Sequence, residues 1–172
     1  MNKAKSWAAG VLLFFYMGVL FKIIVLKFGP IDVAFLWERL QLSMAHPALV
    51  AARLKAGNLI PLKEIAGTFD SMSGQRLFNL AGNIAVFVPF GVLLGTAAKA
   101  GKLALARAFW RSFAVSLGLE SAQVLFAIGK FDVDDLILNS AGGAFGFLIY
   151  MAGTWLTTAG SGVPSERPEK SV

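Results

Sequence analysis

The chain has 172 residues, of which 56% are hydrophobic and 15% charged, whereas a typical soluble domain carries about 25% charged residues. Its formal net charge is +6, but the basic residues flank apolar blocks, which is typical of membrane orientation and argues against a nucleic-acid partner. There is no cysteine and a single histidine, His46. This excludes disulfides, thiolate metal sites and multi-histidine metal centres, and no cofactor or metal is expected.

Four apolar blocks are long enough to cross a bilayer, which takes about 20 mostly apolar residues per helix. They cover residues 7–26, 77–98, 109–128 and 133–156. The first block follows Lys3 and Lys5 and is interpreted as an uncleaved helix, because no small-residue cleavage site comes after it. The sequence therefore predicts an all-α fold, an integral membrane bundle of four transmembrane helices formed by residues 1–158.

The long connection between the first and second spans contains no apolar run of membrane length. Ile31, Phe35, Leu36 and Leu40 recur there at helical spacing. This pattern predicts a short amphipathic helix that lies in the membrane interface. At the other end of the chain, residues 159–172 combine Gly, Ser and Pro with mixed charge, which predicts a disordered C-terminal tail.

Charge asymmetry between the loops indicates how the bundle is oriented. Lys99, Lys102, Arg107 and Arg111 lie between the second and third apolar blocks or at the start of the third, with no acidic residue among them. The turn between the third and fourth spans is acidic instead. By the positive-inside rule, both termini are predicted to be cytoplasmic, and the acidic turn and residues 30–76 face outward.

Polar side chains occur at similar depth in three of the predicted spans. At about 1.5 Å per residue, Asn83, Glu120 and Asn139 lie ~9 to ~12 Å from the outward ends of their helices. An acidic side chain at the bilayer centre costs about 2.5–3.5 kcal/mol on insertion scales. We therefore expect Glu120 to face the interior of the bundle, near the amides of Asn83 and Asn139, and not the lipid.

Several of these residues also have a purely structural interpretation. Asn79 and Asn83, which share a helix face, are candidates for hydrogen-bonded clamps between helices. Asp134 and Asp135 are well placed to complement the N-terminus of the fourth helix. Both interpretations stay open beside the functional ones.

Glycines in the second and fourth spans indicate close helix packing. Gly91 and Gly95 form a small-xxx-small face, and Gly142, Gly143 and Gly146 are clustered in the fourth span. Such residues let helix backbones approach closely in membranes. A phosphate-binding loop is excluded because the second cluster lies inside an apolar helix.

Four segments of the chain together resemble the signature of VanZ-like proteins. They are residues 58–61 (NLIP), 79–91 (NLAGNIAVFVPFG), 116–123 (SLGLESAQ) and 131–143 (FDVDDLILNSAGG). Lys130 departs from the pattern, since an arginine is expected there more often, and lysine loses bidentate anion recognition. The resemblance implies a multi-pass protein of the bacterial inner or cytoplasmic membrane, connected with the cell envelope, in a family named for glycopeptide (teicoplanin) resistance. It implies no particular reaction.

Three kinds of function are compatible with these features. The first is a membrane protein whose outward-facing polar pocket binds a lipid-linked or envelope molecule, with the bilayer as its other partner. The second is a carboxylate-dependent membrane enzyme that acts on an envelope lipid, with Glu120 and Asp135 as candidate catalytic residues. The third is a structural scaffold or a small transporter. The candidate binding residues are Asn58, Asn79, Asn83, Glu120, Gln123, Asp132, Asp135 and Asn139.

Overall fold

A computed structural model describes residues 3–27, 29–71, 73–97 and 104–160. Within these ranges the fold is all-helical, with seven α-helices, one π-helical turn and no strand. The elements in chain order are α1 (Lys3–Leu20), the π-helical turn (Phe21–Val25), α2 (Val33–Ala45), α3 (Pro47–Lys55), α4 (Lys63–Ser71), α5 (Gly74–Ala97), α6 (Ala104–Leu125) and α7 (Val133–Gly160).

Three stretches of the described chain are long and apolar enough to cross a membrane. They are Trp7–Val25, Gly74–Ala97 and Val133–Thr158, which match the first, second and fourth predicted spans. The third predicted span is also helical, since α6 has 22 residues. It contains Arg107, Arg111 and Glu120, however, and is not among the candidate spans. Its crossing therefore stays a prediction.

The interface between α5 and α7 is the most extensive helix contact in the bundle. Along it, Ile84 lies beside Gly142 and Val88 beside Gly146, so the two helices run parallel. A Cβ atom on either glycine would overlap the backbone carbonyl of the facing α5 residue. The predicted role of these glycines in close helix packing is thus confirmed.

The other two long helices run antiparallel to α5 and α7. Ser116 of α6 contacts Asn139 of α7. Ser112, one turn before Ser116, lies beside Gly143, which is one turn after Asn139.

In the second half of α1, the Tyr16 hydroxyl donates a hydrogen bond of 2.7 Å to the carbonyl of Val86 in α5. Ile23 and Ile24, which follow Tyr16, line one cavity with Phe78 and Asn79, which precede Val86, so α1 runs antiparallel to α5. The four helices therefore form an up-and-down bundle.

The core of this bundle is apolar. Its buried side chains come from all four long helices and include Leu20, Phe87, Phe90, Leu119 and Phe147. Large apolar side chains also cover the outside of the long helices: Phe14 of α1 is 76% exposed. An apolar exterior over a packed apolar core is what a bundle immersed in lipid requires.

The connection between α1 and α5 is more regular than the sequence indicates. We expected one short amphipathic helix, and the structure has three: α2, α3 and α4. Asp32 caps α2 by accepting a hydrogen bond of 2.9 Å from the Phe35 amide, and Pro47 at the start of α3 supplies a favourable first-turn residue. Neither helix is apolar along its length, so hydropathy alone does not reveal them.

The long helices extend beyond the predicted membrane spans at several ends. Helix α5 begins at Gly74 and α6 at Ala104, before the predicted starts at residues 77 and 109. Helix α7 continues to Gly160, two residues into the predicted tail. The remaining tail, residues 161–172, lies outside the described residues, as do Lys99 and Lys102.

Candidate functional site

Asn83 and Asp135 form a side-chain pair between α5 and α7. The Asn83 amide donates a hydrogen bond to Oδ1 of Asp135, which lies in the first turn of α7. Both side chains are partly buried. The structure thus joins two of the predicted site residues, contributed by different spans.

Asp132 links the start of α7 to the segment that precedes α4. Its Oδ1 atom accepts hydrogen bonds of 2.9 Å from the backbone amide of Asp134 and from the side-chain amide of Asn58. Two backbone hydrogen bonds reinforce this link, from Asn58 N to Phe131 O (2.8 Å) and from Val133 N to Asn58 O (2.9 Å). Asn58 and Asp132, both predicted site residues, therefore hold the connection between α1 and α5 against the start of α7.

Asp134 has a role that the sequence analysis missed. It is 1% exposed, and its carboxylate accepts hydrogen bonds from the backbone amides of Leu62, Glu64 (2.7 Å) and Ile65 (3.1 Å). These amides belong to the start of α4, where the first N–H groups of a helix have no partner within it. Asp134 thus caps a helix that precedes it by about 70 residues, and no local sequence signal indicates this contact.

Glu120 is 1% exposed and faces the interior of the bundle, as expected. Its Oε2 atom accepts a hydrogen bond of 3.1 Å from the Asp132 amide. Asn139, also 1% exposed, donates a hydrogen bond of 2.9 Å to the Ser116 hydroxyl. Within the described part of the chain, Oε1 of Glu120 and Oδ1 of Asn139 are both buried without a hydrogen-bond partner.

Gln123 and Asn79 make simpler contacts. The Gln123 side chain donates a hydrogen bond of 2.7 Å to the carbonyl of Ile24 in the π-helical turn, where helix-end carbonyls need an outside partner. Asn79 is exposed, and its side-chain oxygen accepts a hydrogen bond of 3.2 Å from Gln75, one turn earlier in α5. Gln123 therefore joins α6 to the π-helical turn, whereas the hydrogen bond of Asn79 stays within its own helix.

A cavity of about 790 Å³ lies among the π-helical turn, α4, α5, the end of α6 and the start of α7. Five of the predicted site residues line it: Asn79, Asn83, Gln123, Asp132 and Asp135. The other three, Asn58, Glu120 and Asn139, do not line it. Glu120 contacts the Asp132 amide and Asn58 contacts the Asp132 carboxylate, so both are in contact with Asp132, which lines the cavity.

The rest of the cavity wall is both charged and apolar. Its cations are Lys27, Arg76 and Lys130, and its apolar lining includes Ile23, Ile24, Phe78, Leu80, Val86 and Leu138. Neither Lys27 nor Arg76 was predicted from sequence as a site residue. Basic residues at the ends of apolar spans are common in membrane proteins, so their position alone does not mark them as part of a site.

Comparison with known proteins places these residues in one family region. A family model described as VanZ/LLP1 matches residues 13–156, which include every candidate site residue. Protein VanZ of Enterococcus faecium is 37% identical over 68 residues, which are 40% of this chain and 41% of that protein. The aligned part thus spans less than half the length of that curated relative. No solved structure matches the chain significantly.

Proposed function

Because the chain belongs to the VanZ/LLP1 family, we propose that it is a cell-envelope membrane protein whose cavity binds a lipid-linked or envelope amphiphile. The composition of the cavity wall is the observation that carries this proposal. Hydrogen-bonding side chains of α5, α6 and α7 line it together with apolar side chains of the π-helical turn and α5. A gap between bundle helices with a few convergent polar groups suits a molecule that has both a polar group and an apolar chain.

Helix direction supports four membrane spans. Helices α5 and α7 run parallel, as the order of their contacts requires. If both cross the membrane in the same direction, the chain must cross back between them, and α6 is the helix that connects them. At ~1.5 Å per residue, its 22 residues extend ~33 Å, which is sufficient for the ~30 Å hydrocarbon core.

The charged residues of α6 agree with this assignment. Arg107 and Arg111 are exposed and lie near its start, at the end of the bundle away from the cavity. Long basic side chains at such positions reach the headgroups. By the positive-inside rule, this end and both termini are cytoplasmic, so the cavity faces outward from the cytoplasmic membrane. A cavity on the outward side is accessible to envelope molecules. Any link to glycopeptide resistance would act through the binding of such a molecule.

Binding is favoured over catalysis by the placement of the two candidate catalytic carboxyls. Asp135 lines the cavity, whereas Glu120 does not and is 1% exposed. An acid–base pair needs both groups within hydrogen-bond reach of the substrate. We therefore assign Glu120 to supporting Asp132, and Asp135 to contact with the bound molecule.

Mass spectrometry of lipids that co-purify with the protein tests the proposal. Asn83→Ala removes the hydrogen-bond partner of Asp135 and one polar group of the cavity wall. We expect it to lower the amount of one co-purified amphiphile by about tenfold, since a hydrogen bond to a charged group contributes about 1.5–3 kcal/mol.

Thr96→Ala is the matched control on α5. The Thr96 hydroxyl bonds to the carbonyl of Leu93 within the helix and does not line the cavity. Its lipid profile should equal that of the wild type. Identical profiles for all three proteins would contradict the proposal and favour a structural scaffold.

A further inference from the structure

The cavity separates α1 from α5 at one end of the bundle. The two helices are joined by the hydrogen bond between Tyr16 and Val86. Beyond this bond, Ile23 and Ile24 on the α1 side and Phe78 and Leu80 on α5 line the cavity. Phe78 is 73% exposed, so the gap reaches the outer surface of the bundle. Because the gap lies between two apolar helices and opens at the surface of the bundle, an acyl chain can enter it.

Two carboxylates at the polar end of the cavity each have one oxygen that accepts no hydrogen bond from the residues that the structure describes. Oδ1 of Asp135 accepts a hydrogen bond from Asn83, and Oδ1 of Asp132 accepts from Asn58 and Asp134. No hydrogen bond to Oδ2 of either residue comes from the described part of the chain. Carboxylate oxygens accept strong hydrogen bonds from hydroxyl and ammonium groups. These two residues thus favour a ligand that carries such donors.

Two lysines, Lys27 and Lys130, line the same cavity. Lys27 and Lys130 are both exposed, and neither forms an ion pair with any residue that the structure describes. Lys27 lines the cavity together with Asp132 and Asp135, which places its positive charge at the polar end of the cavity. Lysine binds phosphate as a point charge.

From these three features we propose that the ligand is a phospholipid whose headgroup carries both a phosphate and hydrogen-bond donors. Lys27 and Lys130 hold the phosphate, Asp132 and Asp135 accept from the hydroxyl or ammonium groups, and an acyl chain leaves between α1 and α5. This inference rests on the proposed function, because it specifies the amphiphile that the cavity takes. Phosphate, donor and chain are thus each recognised by a different part of the wall.

Native mass spectrometry of the full chain in detergent separates these contributions. The probes are dioleoyl lipids: phosphatidylethanolamine and phosphatidylglycerol have a phosphate and donors, phosphatidylcholine has a phosphate without donors, and diacylglycerol has a donor without a phosphate. We expect the first two to be retained about tenfold better than the last two, as for the loss of one charge-assisted hydrogen bond. Equal retention of all four lipids would overturn the inference.

Variants of the lysines test the phosphate contact. The double change Lys27→Ala and Lys130→Ala should reduce retention of phosphatidylglycerol to that of diacylglycerol, whereas arginine at both positions should preserve it. Lys22→Ala is the control, since Lys22 is exposed in the π-helical turn and does not line the cavity. Unchanged retention in the double alanine variant would contradict the assignment of these lysines.

A bulky side chain in the gap tests the route of the acyl chain. Leu80→Trp should lower retention of all four dioleoyl lipids, whereas Phe14→Trp, on the exposed outer face of α1, should not. Failure of the inference is distinguishable from failure of the proposed function. If Asn83→Ala loses a co-purified amphiphile but the four lipids bind equally, only the headgroup assignment fails. If Asn83→Ala changes nothing and no probe is retained, both fail.

Discussion

Replacing Gly142 with alanine should lower the free energy of unfolding by about 1–3 kcal/mol, the usual cost of overpacking a core. The new Cβ would overlap the carbonyl of Ile84 on α5. This neighbour is helix backbone, which cannot rotate away as a side chain can, so α5 and α7 would have to separate. Thermal unfolding in detergent, followed by circular dichroism, measures the effect.

Gly153→Ala is the control in the same helix. A Cβ at Gly153 meets no atom within 4 Å, and alanine is favoured over glycine in helices by about 0.5–1 kcal/mol. Its stability should therefore equal or exceed that of the wild type. Similar unfolding temperatures for the two variants would mean that α5 and α7 do not pack through Gly142.

Replacing Asp134 with asparagine should release the start of α4. The carboxylate accepts three backbone N–H groups with its two oxygens, and an amide offers only one acceptor oxygen. These hydrogen bonds are part-buried, so leaving an N–H group unpaired costs towards the lower end of the ~1–3 kcal/mol typical of buried groups. Hydrogen–deuterium exchange of the amides of Leu62, Glu64 and Ile65 should accelerate, with little change in α5.

Asp32→Asn is the matched control for this cap. Asp32 caps α2 through a single exposed hydrogen bond to Phe35, and asparagine is about as good as aspartate at such a position. Exchange in α2 should change little. If Asp134→Asn leaves the exchange at the start of α4 unchanged, the cap contributes nothing to holding this helix.

The burial of Glu120 inside the bundle could be predicted from sequence. A rise of ~1.5 Å per residue and the connectivity of the spans predict similar depths for Asn83, Glu120 and Asn139, although in the structure each bonds to a different residue. The cost of an acid in lipid then requires Glu120 to face inward, and it is 1% exposed in the structure. The glycines that let α5 and α7 approach were predictable for a similar reason, since small residues at helical spacing have few other uses in an apolar span.

The specific partners could not be predicted, because depth and helix face do not determine them. Asn83 contacts Asp135 and not Glu120, a choice set by the rotation of α5 and α7 about their axes. The capping of α4 by Asp134 depends on a contact between segments about 70 residues apart. Lys27 belongs to the cavity wall only because the π-helical turn and the start of α5 leave a gap beside it. Each of these features is a property of tertiary packing.

Cross-linking between Asn83 and Asp135 is the most direct test that polar side chains from different spans meet inside the bundle. Since the chain has no cysteine, the pair Asn83→Cys and Asp135→Cys can be joined in native membranes by a short bifunctional thiol reagent. The structure predicts efficient cross-linking of this pair and none between Asn83→Cys and Gly153→Cys, which lies towards the other end of α7. No cross-link in the first pair, with both thiols shown to be reactive, would contradict the account.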